Sequence, residues 1–400
     1  MNKILVLLIA VLAACTTTAP TPTPPTSAWG TVFTLGQAEQ TDAPAIWPFA
    51  DRVMATWIGA DETGIHQDSR RLSKSGLSER VVLPLPPKNP YAQRMYPAGD
   101  NNSQLLWLDA NPDGDVRLYA AIVSPTLTVE RGPTMITDQT TRRYAAILNG
   151  DGSLWAISSG GLLIEPRLYA NFIDPQGRPH LDEKDLIATD ADWPTIAQAN
   201  DGTTTVFWIR PSDNRVMRST FLKGQLQNPQ AITETVALNP GDRLVSFDAG
   251  LDATHLYLFW NVSRANGQAE TWFTSATFDA ATWPAPQSLS FDATKGNFET
   301  GFNSGTASPA RAGSHWLSWA AVLPGQFDSV PVATVNAGKL GIVYLHDGVV
   351  AGYQDIVPVS AFIGLPSLLT DRDRFLYLAW SEPNFASGKA DLKLTMTKGF

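Results

Sequence analysis

One cysteine stands in 400 residues, and that scarcity removes more chemistry than any motif present supplies. With Cys15 alone, no intrachain disulfide forms, and neither a cysteine zinc site nor a cysteine catalytic pair can be assembled. Basic residues are also scarce: 29 Lys and Arg against 38 Asp and Glu leave a net charge of −9, which excludes a nucleic-acid footprint. Charged residues make up only 17% and hydrophobic ones 44%, a balance that folds rather than stays disordered. The five His (His66, His180, His255, His315 and His346) are scattered, with no His-Glu-x-x-His, no Gly-x-Ser-x-Gly and no phosphate loop. Apolar runs long enough to span a bilayer are missing. In their place stand 13 Trp, 30 Gly and 29 Pro, with little apolar patterning at helical spacing, a composition of strands and turns.

The first segment, MNKILVLLIAVLAAC, has one Lys, an apolar run from Ile4 to Leu12 and small residues before Cys15. It reads as a secretory leader, too short for a spanning helix. Leu12-Ala13-Ala14-Cys15 resembles the lipobox of bacterial lipoproteins. That resemblance implies that Cys15 is the lipidated first residue of an extracytoplasmic chain anchored to a bacterial membrane. Residues 16–27 hold six Thr and four Pro in twelve positions, which cannot bury a core and favour an extended tether. The expected organisation is therefore a leader over 1–15, a tether over 16–27 and one folded domain over 28–400.

Within that domain, short apolar strands carrying Trp recur at Trp57, Trp107, Trp155, Trp208, Trp260, Trp319 and Trp380, spaced 48 to 61 residues apart. Each interval accommodates four strands and their turns, and a repeat of this length implies a β-propeller. The expectation is an all-β ring of seven four-stranded blades, or six if Trp57 and Trp380 share one. The strand near Gly30 to Leu35 would close the ring beside the last blade. Asp151-Gly152 and Asn200-Asp201-Gly202 mark hairpins between first and second strands, where glycine supplies a positive φ. Pro48, Pro194, Pro309 and Pro366 mark the starts of inner strands.

This unit of proline, strand, Asp-Gly turn and Trp strand resembles the BNR-repeat or sialidase-like propellers. Their Asp box is echoed, one residue short and without its glycine, by Thr277-Phe278-Asp279-Ala280-Ala281-Thr282-Trp283. The resemblance implies an arginine cluster for a substrate carboxylate, drawn from Arg52, Arg94, Arg143, Arg243 and Arg311. It offers no assignable Tyr/Glu pair, and Arg94-Met95-Tyr96-Pro97 stands where the family's Arg-Ile-Pro is looked for.

Strand direction places the turns after each Trp and the segments before each inner strand on one face of the ring. That face is expected to carry Asp61, Glu62, Asp109, Arg210, Asn261, Glu382, Asn384, Trp47, Trp193 and Arg243. Trp47 and Trp193, each followed by Pro, suit sugar stacking, and the long connections around Asn297 and Gln326 belong to the same face. The expected ligand set is Trp47, Trp193, Arg94, Arg143, Arg243, Asp61, Glu62, Arg210 and Glu382. Asp109, Asn111 and Asp113 open a calcium-loop pattern that then departs from it, leaving calcium as the one cofactor to consider. Three functions follow: a monomeric tethered propeller binding a glycan or envelope protein, a sialidase-like glycoside hydrolase or lyase, or a structural subunit of an envelope assembly.

Overall fold

The computed structural model describes residues 29–38, 43–49, 52–111, 113–199, 202–235, 238–266, 269–288, 311–312, 330–336, 339–358, 366–370 and 376–397. Cys15, the tether, Trp319, Pro309, Asn200, Asp201, Asn297 and Gln326 lie outside them. Seven small sheets form a ring, and the one helical element among the described residues is a single turn, Gly99–Asn101. No helix is long and apolar enough to cross a membrane among those residues.

The first blade comprises Ala45–Phe49, Arg52–Asp61 and Gly64–Ser73, with its outer position shared by Gly76–Leu77 and Val81–Leu83. The second runs Tyr91–Pro97, Ser103–Ala110, Val116–Val123 and Val129–Met135. The third runs Thr141–Leu148, Leu154–Leu162, Glu165–Ile173 and Pro179–Thr189. The fourth runs Asp192–Gln198, Thr204–Arg210, Arg215–Leu222 and Gln225–Thr235, and the fifth Arg243–Leu251, His255–Ser263, Ala269–Thr277 and Gln287–Ser288. The sixth sheet has Val330–Asn336, Lys339–His346 and Val349–Pro358. In the seventh, Ser367–Thr370, Leu376–Asn384 and Lys389–Met396 are completed by the N-terminal strand Phe33–Ala38, antiparallel to Lys389–Met396. That is the expected closure. Trp57 and Trp380 belong to different blades, so the ring has seven.

Each blade overlaps its predecessor in one direction. The third-to-outer hairpin of the third blade sets Pro175 beside Gly99 in the first hairpin of the second, and Gly224 of the fourth blade covers the Trp155 ring in the third. Asp347-Gly348 does the same over the fifth blade, where Gly348 donates its N–H to Tyr257 at 2.8 Å. The rule makes Lys339–His346 and Val349–Pro358 the third and outer strands of the sixth blade. Its inner position falls to Arg311–Ala312, which touches the inner strands on both sides and pairs in parallel with Ser367–Thr370. The second described strand is then Val330–Asn336, which carries no Trp; Trp319 lies outside the described residues.

The Trp repeat has one further correction. Trp57, Trp107, Trp208, Trp260 and Trp380 occupy the middle of their second strands, 0 to 3% exposed, against the preceding blade. A Trp→Ala change at any of them removes a ring from a dry interface, a loss of about 3–5 kcal/mol. Trp155 instead begins its strand, opposite Ile147, and is only half-buried against Phe172 and Phe221. Its sequence neighbours look alike, but its register is shifted toward the hairpin end.

The Asp-Gly hairpin is built as expected. Asp151 Oδ1 accepts from the Ser153 N–H and hydroxyl at 2.9 and 2.7 Å, and these bonds hold its carboxyl below the usual range. Gly152 and Gly202 have φ of +85° and +87°. A Cβ on Gly202 would meet nothing within 4 Å, so Gly202→Ala carries only the backbone cost. It is expected to lower stability by about 1 kcal/mol in urea titrations and to leave function at the opposite face unchanged.

Candidate functional site

Strands alternate in direction around each blade, so the inner strands of all blades begin on one face, the mouth, and end on the hairpin face. At the mouth the ladder is broken in four successive blades. Register shifts lie between Tyr91 and Arg94, Thr141 and Arg143, Asp192 and Thr195, and Leu244 and Ser246. Bulges of this kind re-aim side chains at the rim of a sheet. Ala92 and Trp193 take φ of +53° and +56° within two of them. For a residue as bulky as Trp this is a strained conformation, held by the Trp193 N–H donating to Asp192 Oδ1 at 2.8 Å.

Two layers of polar groups result. At the rim, the Arg143 guanidinium lies 3.5 Å from the Trp193 ring centroid and donates to both Asp192 oxygens at 3.2 and 3.4 Å. Burial pulls the Arg143 pKa down, against the opposing pull of Asp192. Arg142 approaches the same carboxylate at 3.9 Å and clamps the neighbouring turn by donating to the Gly161 and Gly160 carbonyls. Deeper in the channel, Arg94 lies 5.4 Å from the centroid of the Tyr144 ring, whose hydroxyl donates to the Ala92 and Leu106 carbonyls. Burial opposes the Arg94 charge, but Tyr96, Tyr144 and Asp248 outweigh it and raise its pKa above the ordinary arginine value. Asp248 is buried on the fifth inner strand and accepts from the Thr195 hydroxyl at 3.1 Å. Trp193, Arg143 and Asp192 are therefore in contact at the rim, while Arg94 against Tyr144 and Asp248 against Thr195 stand on neighbouring inner strands of the same four blades.

Of the expected ligand residues, Arg143 and Trp193 are brought into contact, and Arg94 lies on the neighbouring inner strand against Tyr144. Arg243 starts the fifth inner strand, exposed on the same face. Trp47 is corrected: it is 7% exposed in the middle of the first inner strand, packed into the core, and offers no stacking face. The remaining residues lie toward the mouth face but at the ends of separate strands or in the turns beyond them. Asp61 is bound to Thr63 and lies 3.1 Å from His66, while Glu62 is exposed beside it. Arg210 pairs with Asp213 at 2.6 Å, and Glu382 accepts from the Trp380 indole at 2.6 Å. Nor do the five arginines form one triad: Arg52 lies at the hairpin face, and of Arg311 only the strand position is described. Asp192 and Asp248 were missed. The available signal was an acidic residue beside Trp193 and another inside the apolar run LVSFDAG.

In the Asp109 loop, Asp109 accepts from the Lys88, Asn89 and Ala110 backbone N–H groups, and Asn111 Oδ1 from those of Asp113 and Asp115. The oxygens of Asp109 and Asn111 expected to face calcium are thus turned onto the chain's own amides, while Asp113 is exposed. The Asp-box echo does sit between third and outer strands of the fifth blade, with Thr277 donating to Asp279 and Trp283 buried.

No family model matches this chain, and no curated protein matches it. Among solved structures, the polysaccharide lyase Uly1 is similar over 90% of this chain and 91% of its own, at 13% identity and a TM-score of 0.54. A mutant of the alpha-L-arabinofuranosidase Arb93A from Fusarium graminearum, bound to an iminosugar inhibitor, is similar over 78% of this chain and 93% of its own. Its identity is 12% and its TM-score 0.49. The likeness to Uly1 agrees with the propeller fold.

Proposed function

We propose that this protein binds and cleaves a polysaccharide at the mouth of its channel. The observation that carries this reading is the contact of Trp193 and Arg143 with the Asp192 carboxylate at the rim, with a second carboxylate, Asp248, buried on the next inner strand against Thr195. The stacked indole and guanidinium offer a platform for a sugar ring. Two carboxylates at different depths supply groups of the kind that move protons in glycoside hydrolysis. In an elimination the same arginines would neutralise a sugar carboxylate. A fold shared with a polysaccharide lyase brings carbohydrate chemistry into view, and the residues at the mouth have to carry the reaction. Binding without cleavage rested on the absence of assignable catalytic groups; Asp192 and Asp248 are the candidates this reading puts forward.

The test is incubation of the full chain with a panel of neutral and acidic polysaccharides. New reducing ends alone indicate hydrolysis; reducing ends with ultraviolet absorbance of an unsaturated sugar end indicate elimination. Retardation in a polysaccharide gel without chain shortening would return the protein to the binding class, and no interaction at all would overturn both readings.

The proposal includes location: Cys15 carries the lipid that anchors the chain to a bacterial membrane. Cys15→Ser is expected to abolish acylation and move the protein out of the detergent phase in phase separation. Undiminished partition into that phase would refute the lipoprotein reading.

A further inference from the structure

The turn that echoes an Asp box, Thr277 to Trp283, takes no part in the mouth. It folds back over the fourth blade, where Trp283 meets Phe207 edge-on with ring centroids 5.9 Å apart and the Ala280 carbonyl accepts from Arg218 Nη2 at 2.7 Å. Between turn and blade lies a cleft of about 270 Å³ whose lining includes Arg218, Thr205, Thr220, Gln227, Gln230 and Phe278. Arg218 pairs with Gln230 across the third and outer strands, and Thr220 pairs with Gln227 on one side and Thr205 on the other. Cross-strand partners and residues two apart share a face, so these five stand with Phe207, the other partner of Arg218, on the side that meets the fifth blade. The outer strand bulges between the two pairs, at Asn228, the kind of break that re-aims side chains.

Arg218 is the one cation in this lining, and no Asp or Glu stands among the described residues that form it. Burial pulls the Arg218 pKa down, and no carboxylate restores it. Asp279, beside Ala280, is turned to the Thr277 hydroxyl, which donates to it at 2.9 Å, and among the described residues it forms no ion pair with Arg218. A guanidinium with one carbonyl partner has donors to spare. A phosphate, with nearly two charges, calls for more than one cation, whereas a sugar carboxylate carries a single charge. Side-chain amides and hydroxyls both donate and accept, as the ring hydroxyls of a sugar do. Phe278, 40% exposed, adds an aromatic ring suited to the apolar side of a pyranose. We propose that this cleft binds a uronic acid unit of a polysaccharide, its carboxylate on Arg218 and its hydroxyls on Thr205, Thr220, Gln227 and Gln230. The class of ligand rests on the reading of the mouth; the cleft adds a second hold on the same polymer, outward of the channel, without chemistry of its own.

The test is titration of the full chain with methyl β-D-glucuronoside and with methyl β-D-glucoside, read by ligand-observed NMR. The glucuronoside is expected to bind at least tenfold more tightly than the glucoside, and Arg218→Gln to remove that preference. Because Arg218 also holds the Ala280 turn, a second variant keeps it in place. Gln230 is exposed and opposite Arg218 in the ladder, so Gln230→Glu sets a competing carboxylate beside the guanidinium. It is expected to weaken glucuronoside binding at least tenfold with an unchanged melting temperature. Absence of glucuronoside binding, equal affinity for the two glycosides, or undiminished binding by a folded Gln230→Glu chain would overturn the assignment. Binding that disappears in Trp193→Ala would overturn it as well, since the ligand would then sit at the mouth. Chain shortening is read separately, so cleavage at the mouth and binding in this cleft stand or fall independently.

Discussion

Deleting Gly30 to Leu35 is expected to unfold the whole ring rather than shorten its end. These residues continue the ladder of the seventh blade: Gly30 donates to the Met396 carbonyl at 2.7 Å, Phe33 pairs with Leu394, and Leu35 is 1% exposed in the core. Just beyond them, Trp57 of the first blade donates its indole N–H to the Gln37 carbonyl at 3.2 Å. The strand thus seals both the last blade and its interface with the first. Its loss exposes an unpaired edge and a buried leucine together, a cost on the order of 5 kcal/mol or more, comparable to the stability of a whole domain. A point variant asks the same question without shortening the chain. A Cβ on Gly36 would come within 2.8 Å of the Trp57 ring, so Gly36→Val should prevent the strand from seating. Circular dichroism melts read both, and an unchanged midpoint in both would mean that closure lies elsewhere.

The second large effect is expected at the mouth. Asp248→Asn preserves the shape that accepts the Thr195 hydroxyl but removes the charge beside Arg94. Asp192→Asn removes the partner of Arg143. Each is expected to lower the cleavage rate about a hundredfold or more, the range associated with a positioned proton-transfer group. Trp193→Ala should act chiefly on substrate affinity, since it deletes the indole stacked with Arg143 while an L side chain remains at the same positive φ. Adding Arg243→Ala should weaken binding further if that exposed guanidinium also touches the chain. Full activity in the Asp192 and Asp248 variants, with melting unchanged, would remove both carboxylates from the reaction.

The contrast between Trp47 and Trp193 shows where sequence reading stopped. Both are Trp-Pro pairs within an inner strand, and nothing local separates them. Trp47 lies in an unbroken ladder opposite Met54 and packs into the core, whereas Trp193 lies in a bulge, partly buried against the core of the fourth and fifth blades with the Arg143 guanidinium over its ring. Register decided their roles, and register depends on partners distant in the chain. The same argument explains the shifted Trp155. The architecture was legible for the opposite reason: a large ring that recurs at intervals near 50 residues needs a dry interface each time, and only a closed array of sheets supplies one. Asp192 and Asp248 could not be chosen among 38 acids by spacing, because the bulges that gather them have no sequence signature of their own.

The direction in which the closing strand runs has a mechanical consequence. It enters at the hairpin face beside Thr397 and Met396 and runs antiparallel to Lys389–Met396 toward the mouth. A substrate held at the mouth and a tether held at a membrane would therefore pull along the axis of this strand, from opposite ends of the ring. The ladder bonds from Gly30 to Ala38 would then be loaded together, in shear, instead of being opened one after another from an end. Shear is the geometry in which paired strands resist force best, so the seam that closes the ring is also the joint best placed to bear tension from a polymer gripped on the far side.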